Sequence, residues 1–196
     1  MLNFVYELGN TLYINLTNTC TNSCDFCIRN NHTGVGGKEL WLDAEPSFED
    51  VLSQLPQNIL SYNEVVFCGF GEPTCNLDVL VQVGKHVKSL GQQMRLNTNG
   101  QANLYHGKDV TELLIGAVDT VNVSLNASTA ENYQAVCNSV YGETAFYALL
   151  EFAQLCKAKG MHVILSVVDV IGKDEIEACS DLCRQRGLNL RVRAYE

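Results

Sequence analysis

Two rhythms of apolar and polar residues alternate along this 196-residue chain. Short apolar runs, the signature of half-buried or buried strands, are separated by stretches in which apolar residues return every three or four positions, as on one face of a helix. Six strands are predicted in this way: Leu12–Thr17, Glu64–Cys68, Gln93–Asn97, Thr120–Asn126, His162–Asp169 and Leu188–Tyr195. Between them the pattern predicts helices at Ser47–Leu60, Leu77–Leu90, Lys108–Ala117, Ser128–Asn138, Glu143–Lys159 and Lys173–Arg186. Local chemistry marks several ends. Ser47 before Phe48-Glu49-Asp50 reads as an N-cap, and Ser128 with Glu131 three residues on reads as a capping box. Gly91, Gly160 and Gly187 stand where helices must stop, since glycine tolerates the left-handed cap. No internal repeat or low-complexity tract interrupts the series, and residues 1–196 are expected to form a single domain.

Strands alternating with helices predict an α/β fold with parallel strands. Six units would build a partial (β/α)6 barrel, open on one side, rather than the closed eight-fold form. In such barrels chemistry gathers at the carboxyl ends of the strands. Polar residues collect there in this chain: Thr17-Asn18, Gly69–Pro73, Asn97–Gly100, Ser124–Asn126, Asp169 and Tyr195. The pleat of the fourth strand puts Asn122, Ser124 and Asn126 on one face and Val121, Val123 and Leu125 on the other. A polar stripe in a mostly buried sheet needs partners. Ser166 stands among apolar residues of the fifth strand, where plain core packing competes with a binding role. Arg191 and Arg193 share a face of the sixth strand, either to grip a carboxylate or phosphate or to form a solvated outer surface. Only Ile28 to Pro46 shows neither rhythm. It is rich in Asn and Gly, and irregular segments of that length are usually functional or mobile.

Composition narrows the classes. The formal charge of −9 argues against a surface that tracks nucleic-acid phosphates, which needs clustered Lys and Arg. There is no long apolar span, and the start lacks the basic and apolar regions of a secretory signal, so no membrane role is expected. Nine cysteines without such a signal point to the reducing cytoplasm.

Three of those cysteines carry the candidate chemistry. Cys20, Cys24 and Cys27 fall within eight residues, where the first predicted strand runs out. A structural zinc site wants four protein ligands, typically two pairs, and no second CxxC pair exists in the chain. Three thiolates fit better a cubane iron–sulfur cluster with one iron left for an exchangeable ligand. Of the other cysteines, Cys68 and Cys75 bracket Gly69–Pro73, while Cys179 and Cys183 share a helix face. Buried free cysteine behaves as a small hydrophobe.

The spacing CxxxCxΦC, with Phe26 as the aromatic Φ, resembles the signature of the radical S-adenosylmethionine (SAM) superfamily. Members are partial β/α barrels with this motif just after the first strand. The resemblance continues through the chain. Gly69-Phe70-Gly71-Glu72-Pro73 looks like the family's GxGEP segment, whose backbone bonds the amino group of SAM. Asn97-Thr98-Asn99-Gly100 resembles its TNG turn, and Thr120–Asn126 is similar to a VSLD-like strand that contacts SAM, with Asn126 where some relatives have an acid.

The resemblance implies a 4Fe-4S cluster on Cys20, Cys24 and Cys27, with SAM on the fourth iron. It implies a SAM site drawn from Phe26, Gly69, Gly71, Glu72, Pro73, Asn97, Asn99, Ser124, Asn126, Ser166 and Val168, with Val168 or Val170 flanking the adenine; Arg29 and His32 are candidates for contact with SAM or substrate. The implied reaction is oxygen-sensitive. One electron from a reduced flavodoxin or ferredoxin cleaves SAM to methionine and a 5′-deoxyadenosyl radical, which abstracts hydrogen from an unknown small-molecule or protein substrate. A narrower resemblance, to compact radical SAM proteins associated with TatD-type nucleases, rests on Cys27-Ile28-Arg29-Asn30, Gly34-Val35-Gly36-Gly37, Leu40-Trp41-Leu42 and Glu45-Pro46. Two other readings stand beside this one: a non-catalytic iron–sulfur protein that carries electrons or senses redox state, and a zinc-binding interaction module.

Overall fold

The computed structural model describes residues 3–195. A hairpin opens the chain, with β1 (Val5–Leu8) antiparallel to β2 (Thr11–Ile14). A second, smaller hairpin pairs β3 (Gly34–Val35) with β4 (Lys38–Glu39). Then follow α1 (Phe48–Gln54), β5 (Glu64–Phe67), α2 (Leu77–Ser89), β6 (Met94–Thr98), α3 (Ala102–His106), β7 (Thr120–Ser124), α4 (Ala130–Cys137), α5 (Thr144–Ala158), β8 (His162–Val168), α6 (Lys173–Gln185) and β9 (Asn189–Arg193).

The main sheet runs β1-β2-β5-β6-β7-β8-β9. From β2 onward every pair is parallel, and the strands of this sheet follow one another in chain order, with the β3-β4 hairpin set apart. Parallel strands in that order, joined by crossovers of one hand, wind in a single direction without closing, as an unclosed barrel does. The expected α/β partial barrel is therefore present. The pleat separates its faces. Ile14, Phe67, Leu96, Val121, Val123, Leu165 and Val167 belong to the apolar core shared with the helices, alongside Leu80, Val83, Leu149 and Phe152. The alternate residues, including Tyr13, Asn97, Asn122, Ser124 and Ser166, line the other face. No helix among the described residues is long and apolar enough to cross a membrane.

All six predicted strands form, and most end earlier than the pattern suggested. β7 stops at Ser124 because Asn126 adopts φ +58°, a left-handed conformation incompatible with a ladder. The structure departs from the pattern in four further places. The first strand of the sheet, β1, was not predicted. The helix expected over Ser47–Leu60 ends at Gln54, because Pro56 drives Leu55 into extended backbone (ψ 131°); a 3-10 turn at Ile59–Ser61 takes up the remainder. Lys108–Ala117 forms only a 3-10 turn at Thr111–Leu114, since the Asp109 carboxylate accepts from the Thr111 N–H and hydroxyl and offers the backbone a turn instead. The helix of that unit is the earlier α3, stopped by Gly107 at φ +65°. Ser128 does not cap α4. Thr129 does, through the Asn132 N–H, and Ser128 turns to Glu175. The Ser47 cap is real, with Asp50 completing the box.

The Ile28–Pro46 segment is more built than its composition suggested. Gly36 and Gly37 both take positive φ, as the tight turn between β3 and β4 demands. Leu40 is buried against Tyr6 and Phe70, in a small cluster that also takes in Tyr13. The Asn15 amide donates to the Leu40 carbonyl at 2.7 Å, and Asn18 exchanges two bonds with the Leu42 backbone. The chain thus fills the β1 side of its own half-barrel.

Candidate functional site

The three cysteines lie on the loop leaving β2, all half-buried. Backbone bonds hold that loop on two sides. Glu72 N–H donates to the Thr19 carbonyl at 2.7 Å, and Ser23 and Asp25 N–H donate to the Cys137 and Val136 carbonyls at the end of α4. Arg29 braces it from within, its guanidinium donating to the carbonyls of Asn18, Asn22 and Phe70. This gives Arg29 a structural role, while His32 is exposed.

A buried network that the sequence pattern did not reveal completes the support. The Asn22 amide and the Gln101 amide both donate to the Tyr133 hydroxyl at 2.9 Å. Gln101 also donates to the Asn22 side-chain oxygen and accepts from the Ser139 hydroxyl. Asn99 donates to the Thr21 hydroxyl at 2.8 Å and reaches the Cys20 sulfur at 3.9 Å. No helix or strand period marks Gln101 or Tyr133. Their only trace in sequence is polar or hydroxylated side chains at otherwise core positions.

Burial pushes the Cys20 thiol up to about 11, reinforced by the Glu72 charge and partly offset by the Asn22 N–H and Arg29. Hydrogen bonding to Cys137, then burial, raises Cys24 strongly. Burial raises Cys27 as well. Ligand thiols must be deprotonated, so a metal centre bound here would expel protons.

Gly71 has no room for a side chain: a Cβ would stand 2.2 Å from the Thr17 carbonyl oxygen. At Gly69 it would stand 2.0 Å from Asn15 Oδ1. The close approach these glycines allow is to the cysteine-bearing loop and to β2's continuation. Glu72 is buried, and its carboxylate accepts from Thr74 N–H, the Thr74 and Thr98 hydroxyls, and Asn99 N–H at 2.6–3.2 Å. Burial nevertheless pushes its carboxyl above the usual range. Pro73 begins the 3-10 turn at Pro73–Asn76. Asn97 accepts from Arg95, which also forms a bidentate pair with Glu64. Among the predicted site residues, then, Glu72 and Asn99 have side chains engaged inside the protein, and half-buried Asn97 is held by Arg95.

A cavity of about 570 Å³ opens beside the cysteine loop. Phe26, Asn126, Val136, Val170 and Ile171 line it, with Glu175 and Tyr195 at its walls. Val168, the predicted neighbour of adenine, is buried and does not line it; Val170 does. Asn126 donates to the Cys137 sulfur at 3.5 Å, while its buried Oδ1 has no partner among the described residues. Asn122 donates to the Ser166 hydroxyl and its Oδ1 is likewise without a partner there. Ser124 pairs with Ser166 across β7 and β8. The Glu175 carboxylate closes the far wall, accepting from Ser128 N–H, the Ser128 hydroxyl and the Asn132 amide.

The remaining polar candidates are dispersed. Arg191 is exposed and Arg193 half-buried on the edge strand β9. Cys179 and Cys183 are buried in the apolar core, as small hydrophobes. Among the described residues, no three His, Cys, Asp or Glu side chains converge on a single metal-ion position. The donor set of three thiols on one loop, beside a cavity with an unsatisfied amide oxygen, fits a cluster that leaves one position for an exchangeable ligand.

The chain matches the family model described as the radical SAM superfamily over residues 14–183. No curated protein matches it. Solved structures share its fold at low identity. Streptococcus suis SuiB is 17% identical with a TM-score of 0.67, the alignment covering 91% of this chain and 38% of that one. A radical SAM methyltransferase from Sphaerobacter thermophilus is 12% identical with a TM-score of 0.66, covering 97% and 68%. Native anSMEcpe with bound AdoMet is 14% identical with a TM-score of 0.59, covering 94% and 50%. The chain spans well under half of SuiB and half of anSMEcpe. Because the family match runs through most of the sequence, the chain belongs to the radical SAM superfamily, and with that membership come its enzyme class and its two cofactors, a 4Fe-4S cluster and S-adenosylmethionine.

Proposed function

We propose that the protein reductively cleaves SAM and passes the resulting radical to a substrate. The observation that carries this reading is the juxtaposition of the three-cysteine loop with a cavity walled by Phe26 and Asn126. Cys20, Cys24 and Cys27 would hold the cluster, and the cavity would take the adenosyl half of SAM. When bound, the two cofactors supply the chemistry: a 5′-deoxyadenosyl radical able to abstract hydrogen from an otherwise unreactive carbon.

The chain's own residues bind, orient and insulate. Phe26 and Val136 cover the thiols with apolar surface. Asn126 Oδ1 offers an acceptor to a hydroxyl or amine of the nucleoside, and Val170 and Ile171 offer apolar faces to the base. Glu72 and Asn99 hold the Gly69–Pro73 backbone and the Cys20 loop in register, with Ser124 at the end of β7 beside Ser166 of β8. The electron donor is proposed to be a reduced flavodoxin or ferredoxin, and the substrate a small molecule or a protein approaching the side that the Ile28–Pro46 segment leaves open. The association with a TatD-type nuclease remains a proposal of the same kind, supported by that segment's sequence.

Anaerobic reconstitution with iron and sulfide, followed by dithionite and SAM, should yield 5′-deoxyadenosine, and Cys24→Ala should lose the cluster's colour. A brown protein that forms none, with a spectrum indifferent to SAM, would favour a non-catalytic iron–sulfur role. Stoichiometric zinc without iron or sulfide would favour an interaction module.

A further inference from the structure

Cys137 takes no part in the chemistry proposed above, yet it lies against it. It is the last residue of α4 and fully buried. Ser23 N–H donates to the Cys137 carbonyl at 3.0 Å and Asp25 N–H to the Val136 carbonyl at 3.1 Å. These two bonds straddle Cys24 and set it opposite Cys137. The two thiols are close enough for each to perturb the other. Backbone bonds on both sides of Cys24 bring its stretch of chain alongside Cys137, and close backbones are the first geometric demand of a disulfide. The Asn126 amide, on the cavity wall, steadies the Cys137 sulfur from the other side.

We propose that Cys24 and Cys137 form a reversible disulfide in the cluster-free protein, made by exchange with a small-molecule disulfide such as oxidised glutathione. Cys24 is half-buried and Cys137 fully buried, so Cys24 meets the oxidant first. Its thiolate attacks one sulfur of the oxidant and releases one glutathione thiolate, leaving a mixed disulfide on Cys24. The Cys137 thiolate then attacks the Cys24 sulfur and displaces the second glutathione. One sulfur–sulfur bond forms in the protein and one is broken in the oxidant. Two protons leave the protein thiols for the two released thiolates, and two electrons pass to glutathione. A sulfur in this bond has no lone thiolate for iron, so the disulfide and the cluster exclude each other. That consequence rests on the reading of Cys24 as a cluster ligand; formation of the bond does not. The disulfide also keeps Cys24 off the irreversible part of the oxidation ladder while the loop waits for iron.

The test starts from the full chain stripped of metal by a chelator, treated anaerobically with oxidised glutathione, alkylated and digested without reductant. The expected result is a dominant peptide pair joining Cys24 to Cys137, two fewer alkylated cysteines, and no retained glutathione. Glutathione left on Cys24 without a cross-link, or Cys24 joined chiefly to Cys20 or Cys27, would overturn the proposal. Cys137→Ser should abolish the cross-link and trap glutathione on Cys24; the wild-type peptide map decides the question even if that variant folds poorly. Iron and sulfide uptake by the oxidised wild type should then wait on added dithiothreitol. If the cross-linked protein loads a cluster at the full rate without reductant, the disulfide stands and the assignment of Cys24 as a ligand falls.

Discussion

Removing the Glu72 carboxylate should damage the fold before it damages ligand binding. Glu72→Ala takes the acceptor from four donors in a site that is 5% exposed. The Thr74 and Thr98 hydroxyls can rotate toward other acceptors; the Thr74 and Asn99 N–H groups are fixed by the backbone and cannot. Each buried N–H left without a partner costs about 1–3 kcal/mol. Relief from burying a charge offsets part of that loss, which leaves an expected net destabilisation of about 2–5 kcal/mol. At roughly 2–4 °C per kcal/mol for a chain of this length, the thermal midpoint should fall by about 4–20 °C. Glu72→Gln keeps the shape and one acceptor oxygen, and the threonine hydroxyls can accept from its amide, so its cost should be about 1–2 kcal/mol. Because Asn99 hangs from this carboxylate and reaches Thr21 and Cys20, Glu72→Ala should also lower the iron bound after reconstitution. Calorimetry of the cluster-free protein, with iron analysis of the loaded one, reads both effects. A variant that melts like the wild type, loads iron normally and fails only to bind SAM would refute the reasoning, since the carboxylate would then act on ligand rather than on the turn.

Gly71→Ala forces a Cβ to within 2.2 Å of the Thr17 carbonyl oxygen, and that backbone atom cannot swing aside as a side chain would. Overpacking of this kind costs about 1–3 kcal/mol, and the variant should melt several degrees lower with reduced iron loading; unchanged stability with weakened SAM binding would instead mean that the glycine serves the ligand. For Glu175, burial opposes ionisation, but the Ser128 N–H, the Asn132 amide and the Ser128 hydroxyl outweigh it and hold the carboxyl below its ordinary 4.5. A depressed carboxyl contributes stability that is fully present above 4.5 and lost as pH falls through the lowered value, so the melting temperature should decline on acidification below that point. Glu175→Gln should flatten that part of the profile, and an identical acid slope in the variant would show that the clamp is not the titrating group.

Much of this was written in the chain because the relevant signals are local. Strands such as Thr120–Ser124 announce themselves by apolar alternation, and Cys20, Cys24 and Cys27 by spacing alone. Illegible parts depend on contacts between distant residues. Val5–Leu8 is too short to carry a period, and becomes a strand only because β2 supplies a ladder and Tyr6 stacks on Tyr13 at 5.2 Å. Ser128 looked like a cap because Glu131 follows it, yet Glu175, far along the chain, competes successfully for its hydroxyl and N–H. The glycines of Gly69–Pro73 were expected to admit a ligand. The geometry shows Gly71 making room for the backbone at Thr17 and Gly69 for the Asn15 side chain, a requirement that no local pattern can express.

Apart from the Glu72 carboxylate that anchors Asn99, the support beneath the cysteines is mostly neutral, and that choice has a consequence. Thr21, Asn22, Asn99, Gln101, Tyr133 and Ser139 are linked through amides and hydroxyls, none of which titrates near neutrality in this setting. Arg29 brings a permanent positive charge, and its donors are directed at three carbonyl oxygens rather than at a carboxylate. Thiols raised by Cys137 at Cys24 and by burial at Cys20 and Cys27 lose their protons when they take up metal, so the local charge must change on loading. A frame built from ion pairs would feel that change and shift. One built from amides and carbonyls keeps its bonds in either state, and Arg29 lies close enough to Cys20 and Cys24 to favour the charged form without depending on it. The loop can therefore hold one shape while empty, while oxidised and while loaded.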